Sequence, residues 1–94
     1  YNTKLRLVLL NAIVLNIEEI YVPIKLRKEL IPQRVKAVAE EILEDTEERP
    51  IQVRRGKHRY VLVKGIHRLE ARKALGEDFI QAFIVGESIV GMAN

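Results

Sequence analysis

Alternation of apolar and polar positions dominates this chain and is interrupted by one long stretch of helical spacing. From Lys4 to Leu10, Leu5 and Leu7 alternate with Lys4 and Arg6, a strand-like start. Ile13 to Val22 is β-branched and apolar, with polar breaks at Asn16 and Glu18-Glu19, and predicts one or two strands ended by Pro23. Ile24 to Ile31 carries Lys25, Arg27, Lys28 and Glu29 and predicts a loop or short turn. Pro32 suits the first turn of a helix, where its missing N–H costs nothing. Val35, Val38, Ala39, Ile42 and Leu43 then fall on one face, so a packing helix is expected over residues 32–45.

The second half returns to strand patterning. Pro50 opens Ile51-Gln52-Val53-Arg54, Arg55-Gly56-Lys57 forms a turn, and Tyr60 to Val63 returns as the second arm of a hairpin. Gly65 breaks that pattern. A short helix follows over about Arg68 to Leu75, offering Leu69, Ala71, Ala74 and Leu75 to a core, and Gly76 stops it. Phe79 to Val85 predicts a last strand, and the tail after Gly86 gives no strong signal. Tyr60 and Phe79 are expected inside. The elements describe an α+β fold: a single small domain over residues 1–94, with a mixed sheet, one longer helix and a short helix after Gly65.

Composition supports a folded chain. Hydrophobic residues make up 48% of the 94 and charged residues 31%, a mix that excludes disorder. With no cysteine, a disulfide framework, a thiolate metal site and thiol catalysis are all excluded. No secretory signal and no membrane-spanning run is read, so a cytoplasmic protein without a membrane partner is expected. The chain begins at Tyr1 rather than Met, as a piece of a longer protein would.

The net charge of +3 is modest, but its distribution is not. Six acids lie between Glu40 and Glu48, whereas Arg49 to Lys73 holds nine Lys and Arg with His58 and His67 against the single acid Glu70. Such a basic half attracts phosphates, whether of a nucleotide or of DNA, or else forms a solvated face. His58 reads as a solvated strand residue, and Glu70 as a helical-spacing partner for Arg68 or Arg72.

The candidate chemistry sits where the hairpin runs into the short helix, at Lys64-Gly65-Ile66-His67-Arg68. Helix N-termini present free backbone N–H groups and a partial positive charge, and so bind anions. Gly65 admits a bulky phosphate, Arg68 offers a two-pronged contact, His67 a further donor and Lys64 added charge. Arg27 either reaches the same phosphate or is simply exposed.

The string Gly65-Ile66-His67-Arg68-Leu69-Glu70-Ala71-Arg72-Lys73-Ala74-Leu75-Gly76 resembles the signature of the ParB/sulfiredoxin superfamily. Ile20-Tyr21-Val22-Pro23 resembles its first strand, Pro32 to Ile42 its first helix, and Pro50-Ile51-Gln52-Val53-Arg54 its "Pro-Ile-x-Val" strand, so the likeness runs from about Ile17 to Val85. The resemblance implies that Gly65, His67 and Arg68 lie against phosphates. Sulfiredoxins carry cysteine where this chain has Ile66, which rules out their sulfinic acid chemistry here.

Two branches remain. Glu29-Leu30-Ile31-Pro32-Gln33-Arg34 and the His-Arg-Leu string resemble the free serine kinase branch, in which an acid of this loop serves as base; Glu29 is the nearest match. Lys64 departs from it, since that branch has aspartate directly before the glycine. This likeness implies binding of ATP or ADP with Mg²⁺, and phosphoryl transfer to a small-molecule or protein acceptor or hydrolysis of the nucleotide. No protein metal ligand is assigned. The alternative is the N-terminal nucleotide-switch module of a partition protein, with DNA as partner. There arginine usually precedes the second arginine of the loop, where this chain has His67. A third reading is a degenerate domain that binds partners without catalysis.

Overall fold

The computed structural model describes residues 12–44 and 49–86. The expected strand at Lys4 to Leu10, the end of the long helix at Asp45 and the tail after Gly86 lie outside them. The described chain runs β1 (Ile13–Asn16), a 3-10 turn (Ile17–Glu19), β2 (Ile20–Tyr21), α1 (Ile24–Arg27), α2 (Pro32–Glu44), β3 (Ile51–Arg55), β4 (Tyr60–Lys64), α3 (Ile66–Ala74) and β5 (Phe79–Ile84). This is the expected α+β domain with a mixed sheet.

The sheet order is β1-β5-β3-β4-β2. β1 pairs antiparallel with β5, β3 antiparallel with β4, and β3 with β5 and β2 with β4 in parallel. The two strands read from Ile13 to Val22 therefore stand at opposite edges, joined only by the turn Ile17–Glu19. A flat five-stranded sheet is roughly 19 Å from edge to edge at its strand spacing. The step from Asn16 to Ile20 reaches at most roughly 14 Å. The sheet must therefore curl until its edges approach one another. Two bonds set the turn: the Glu18 N–H donates to Asn16 Oδ1 at 3.0 Å, and the Ile17 N–H to the Asp78 carbonyl at 2.9 Å.

Inside the curl, Leu15, Ile17, Ile20, Val22, Ile51, Val53, Leu62, Ile80 and Ala82 form the core with Ile66 and Leu69 of α3. Strand alternation accounts for most of this: Ile80 and Ala82 point in while Phe79 points out. Phe79 was expected inside, but it is 58% exposed, because the residue after it takes the inward position. Tyr60 is half-buried against the core, as expected.

The helices depart from the sequence reading at three points. Ile24–Arg27, read as loop or turn, is one α-turn in which the Pro23 carbonyl accepts from the Leu26 and Arg27 N–H groups at 3.0 and 3.1 Å. Leu26 and Leu30 hold this segment against the core, and four residues are too few for periodicity to reveal. In α2 no residue is buried and Leu43 is 73% exposed, since this helix packs on α3 rather than on the sheet. α3 starts two residues earlier than expected. It ends at Ala74, which is exposed, while Leu75 is half-buried. No helix among the described residues is long and apolar enough to cross a membrane.

Gly76, at φ +79°, ends α3 as expected. The Gly76 N–H donates to the Lys73 carbonyl and the Glu77 N–H to that of Arg72, closing the left-handed cap. Arg72 Nη1 then donates to both Glu77 carboxylate oxygens at 2.8 and 3.1 Å, clamping the helix end to the approach of β5.

Gly65 is the more constrained glycine. At φ +109° its missing Cβ would lie 2.6 Å from Ile51 Cγ2 and 3.0 Å from Ile51 Cβ. Gly65→Ala combines left-handed strain of about 1–2 kcal/mol with overpacking of about 1–3 kcal/mol. Gly76→Ala meets open space and carries the first cost alone. Urea denaturation of both variants should place Gly65→Ala well below Gly76→Ala in stability.

Candidate phosphate-binding site

A β-bulge prepares the turn. Gln52 lies opposite Lys64, but Val53 lies opposite Leu62, so β4 carries one residue more than β3 at this point. The buried run Val61-Leu62 thus gives way to exposed Val63 and Lys64 just before the chain turns. Gly65, at φ +109° and ψ 32°, caps α3 with backbone alone. The Leu69 N–H donates to the Gly65 carbonyl at 2.9 Å. Ahead of that bond, the N–H groups of Ile66, His67 and Arg68 have no acceptor within the helix. The cap makes no side-chain hydrogen bond, and the first turn holds no acid. The start of α3 is thus electropositive.

The side chains of the turn take separate tasks. Ile66 is 6% exposed and anchors the turn in the core. Arg68 is half-buried and already engaged within the protein. His67, expected to donate toward phosphate, here accepts at Nε2 from the Ile31 N–H at 3.0 Å. This bond ties the glycine turn to the segment between α1 and α2, across 36 positions of sequence.

Glu29 lies in that segment and is exposed. Arg27, at the end of α1, is exposed but ordered by two contacts: its Nε–H donates to the Val22 carbonyl at 3.0 Å, and its guanidinium lies 5.8 Å from the centre of the Tyr21 ring. Glu70 pairs with Lys73 at 3.2 Å rather than with Arg68 or Arg72; one helical turn brings Lys73 alongside it, while Arg72 holds Glu77. Among the described residues no cluster of three His, Asp or Glu side chains is placed to hold a metal ion.

Beside the turn, an open groove of about 890 Å³ runs between the β2 edge, the tip of the β3–β4 hairpin and the outer face of α3. Of the residues read from sequence, Arg27 and Ile66 line it; Lys64, Gly65, His67, Arg68 and Glu29 do not. Tyr21, Arg55, Arg59 and Tyr60 line it too, and sequence reasoning singled out none of them for chemistry. Arg59 lies 4.0 Å from the centre of the Tyr21 ring, and Arg55 Nη1 donates to the Tyr60 hydroxyl at 3.3 Å. Parallel pairing of Ile20 with Tyr60 brings these residues together, a non-local event without a sequence signal.

With this geometry in view, the family model described as the ParB N-terminal domain matches residues 8–90. No curated protein sequence matches the chain. Among solved structures the chain is similar to sulfiredoxin from Arabidopsis thaliana, with a TM-score of 0.69 and 24% identity over 88% of this chain and 97% of that one. It is similar to a free serine kinase in complex with AMP, with a TM-score of 0.67 and 16% identity over 81% of this chain and 31% of that one. A Pnob8-like ParB-N domain gives a TM-score of 0.55 and 21% identity over 81% of this chain and 30% of that one. At these identities the likeness is one of fold, and the chain spans less than a third of the length of the latter two.

The His67–Ile31 bond is open to direct test. His67→Ala removes the acceptor, and exchange of the Ile31 amide should speed up several-fold, as loss of about 0.5–1.5 kcal/mol implies. His67→Gln keeps an acceptor oxygen and should restore part of the protection. Equal exchange rates in all three proteins would show that the contact does not hold the loop.

Proposed function

This chain belongs to the ParB N-terminal domain family, and we propose that it binds ATP or ADP by seating a phosphate on the Gly65 turn at the start of α3. The observation that carries this reading is the bare start of α3: a glycine cap without a side-chain bond, three N–H groups without helical acceptors and no acid in the first turn. Dipole and donors together favour an anion there. Arg68 beside the turn supplies a charged fork and Lys64 a further positive charge. The groove lined by Ile66 and Arg27 gives the rest of the nucleotide somewhere to extend.

Phosphoryl transfer or hydrolysis follows from such a site when the protein holds the phosphates and neutralises charge in the transition state. Mg²⁺ suits it as an ion coordinated mainly by phosphate oxygens and water. A hydroxyl acceptor must lose its proton as it attacks phosphorus, and Glu29 is the carboxylate whose segment His67 ties to the turn. The free serine kinase, seen with AMP and with ADP, has the same fold, which supports this reading. A second reading, a nucleotide-operated switch in a DNA-partition protein, is favoured by Lys64, which stands where the kinase branch has a carboxylate. The same phosphate seat serves both.

Titration of ATP, ADP and CTP with Mg²⁺, following binding and phosphate release, separates the two. Arg68→Ala should weaken nucleotide binding by about 1.5–3 kcal/mol, the range for hydrogen bonds to charged groups. Unchanged affinity in a folded variant would overturn the phosphate seat. Glu29→Gln should lower turnover by about 10²- to 10⁴-fold with affinity nearly constant. Wild-type turnover in that variant would remove Glu29 from the chemistry, and binding without turnover in the unmodified protein would favour the switch.

A further inference from the structure

The groove contains a device that the phosphate seat does not use. Arg59 lies 4.0 Å, and Arg27 5.8 Å, from the centre of the same Tyr21 ring. Arg27 is fixed further by its Nε–H bond to the Val22 carbonyl. On the neighbouring strand Arg55 repeats the pattern, 5.7 Å from the Tyr60 ring and hydrogen-bonded to its hydroxyl. All five residues line one groove.

Arginine side chains carry large rotamer entropy, and ordering them on binding is costly. Here rings and a backbone carbonyl have already ordered them. Among the described residues, no hydrogen bond to protein engages the Nη groups of Arg27, or any guanidinium nitrogen of Arg59. Three acids line the same groove, Glu18, Glu19 and Glu70, and Glu70 is paired with Lys73; with Arg27, Arg55, Lys57 and Arg59 the lining stays net positive.

We propose that Arg27 and Arg59, braced on Tyr21, form a second anion subsite that takes a phosphoryl group, separate from the seat at Gly65. This inference goes beyond the proposed nucleotide seat and does not require it. The phosphoryl group belongs either to a second ligand or to the far end of a ligand that spans from the turn into the groove.

Amide and arginine Nε–H NMR spectra of the full chain, titrated with inorganic phosphate and separately with ADP, test it. Phosphate should shift the Arg27 Nε–H, Tyr21 and Arg59 signals saturably. Arg59→Gln should weaken that response about tenfold or more, the loss expected for one charge-assisted contact, while signals of Gly65 and Arg68 keep their own response. Tyr21→Leu removes the brace and should act like Arg59→Gln, whereas Tyr21→Phe keeps the ring and should leave phosphate binding near wild type. Groove signals that move with ADP in step with Gly65 place the group on the same ligand. Groove signals that move with phosphate alone place it on a second one. No saturable response in the groove, or an equal response in wild type and Arg59→Gln, overturns the subsite. Silence at Gly65 and Arg68 with ADP overturns the phosphate seat and leaves the subsite standing.

Discussion

The contact of Gly65 with Ile51 is the constraint on which the candidate site depends. Ile51 is 1% exposed at the centre of the core, and the turn passes so close to it that a Cβ cannot be fitted. Two consequences follow. The residue before α3 has no side chain with which to cap the first N–H groups of the helix. The helix itself starts directly over the core, with Ile66 and Leu69 buried beneath it. One glycine thus sets both the packing of the turn and the absence of a side-chain cap at the start of α3.

The second constraint is the curl of the sheet. It closes because three residues must join strands at opposite edges. Its parallel pairing sets β2 beside β4, so that two tyrosines and three arginines line one groove. The α1–α2 segment is then held from two sides, through Arg27 on the Val22 carbonyl and through Ile31 on His67.

Much of this was legible in the sequence because it rests on local physics. Strand patterning placed the strands that carry Ile51, Val53 and Leu62 and the last strand from Phe79, though not its inward face, and helical spacing found α2 from Pro32. Gly65 and Gly76 marked the ends of α3, since only glycine accepts their backbone angles at little cost. The string from Gly65 to Gly76 pointed to the family that the chain belongs to. The charge distribution and the absence of cysteine bound the chemistry from the sequence alone.

What the tertiary structure decided was every relation between distant residues. The one-turn helix at Ile24–Arg27 forms because Leu26 and Leu30 pack on the core, and Phe79 turns outward because Ile80 takes the inward place. His67 accepts a bond from Ile31, far away in sequence, and Tyr21 collects Arg27 and Arg59, which come from different elements. Sequence patterns record which face of an element is apolar, because burial is felt residue by residue. They do not record which elements become neighbours, because the curl and the parallel pairing that bring Tyr21 to Arg59 and Ile31 to His67 are settled only when the whole sheet closes.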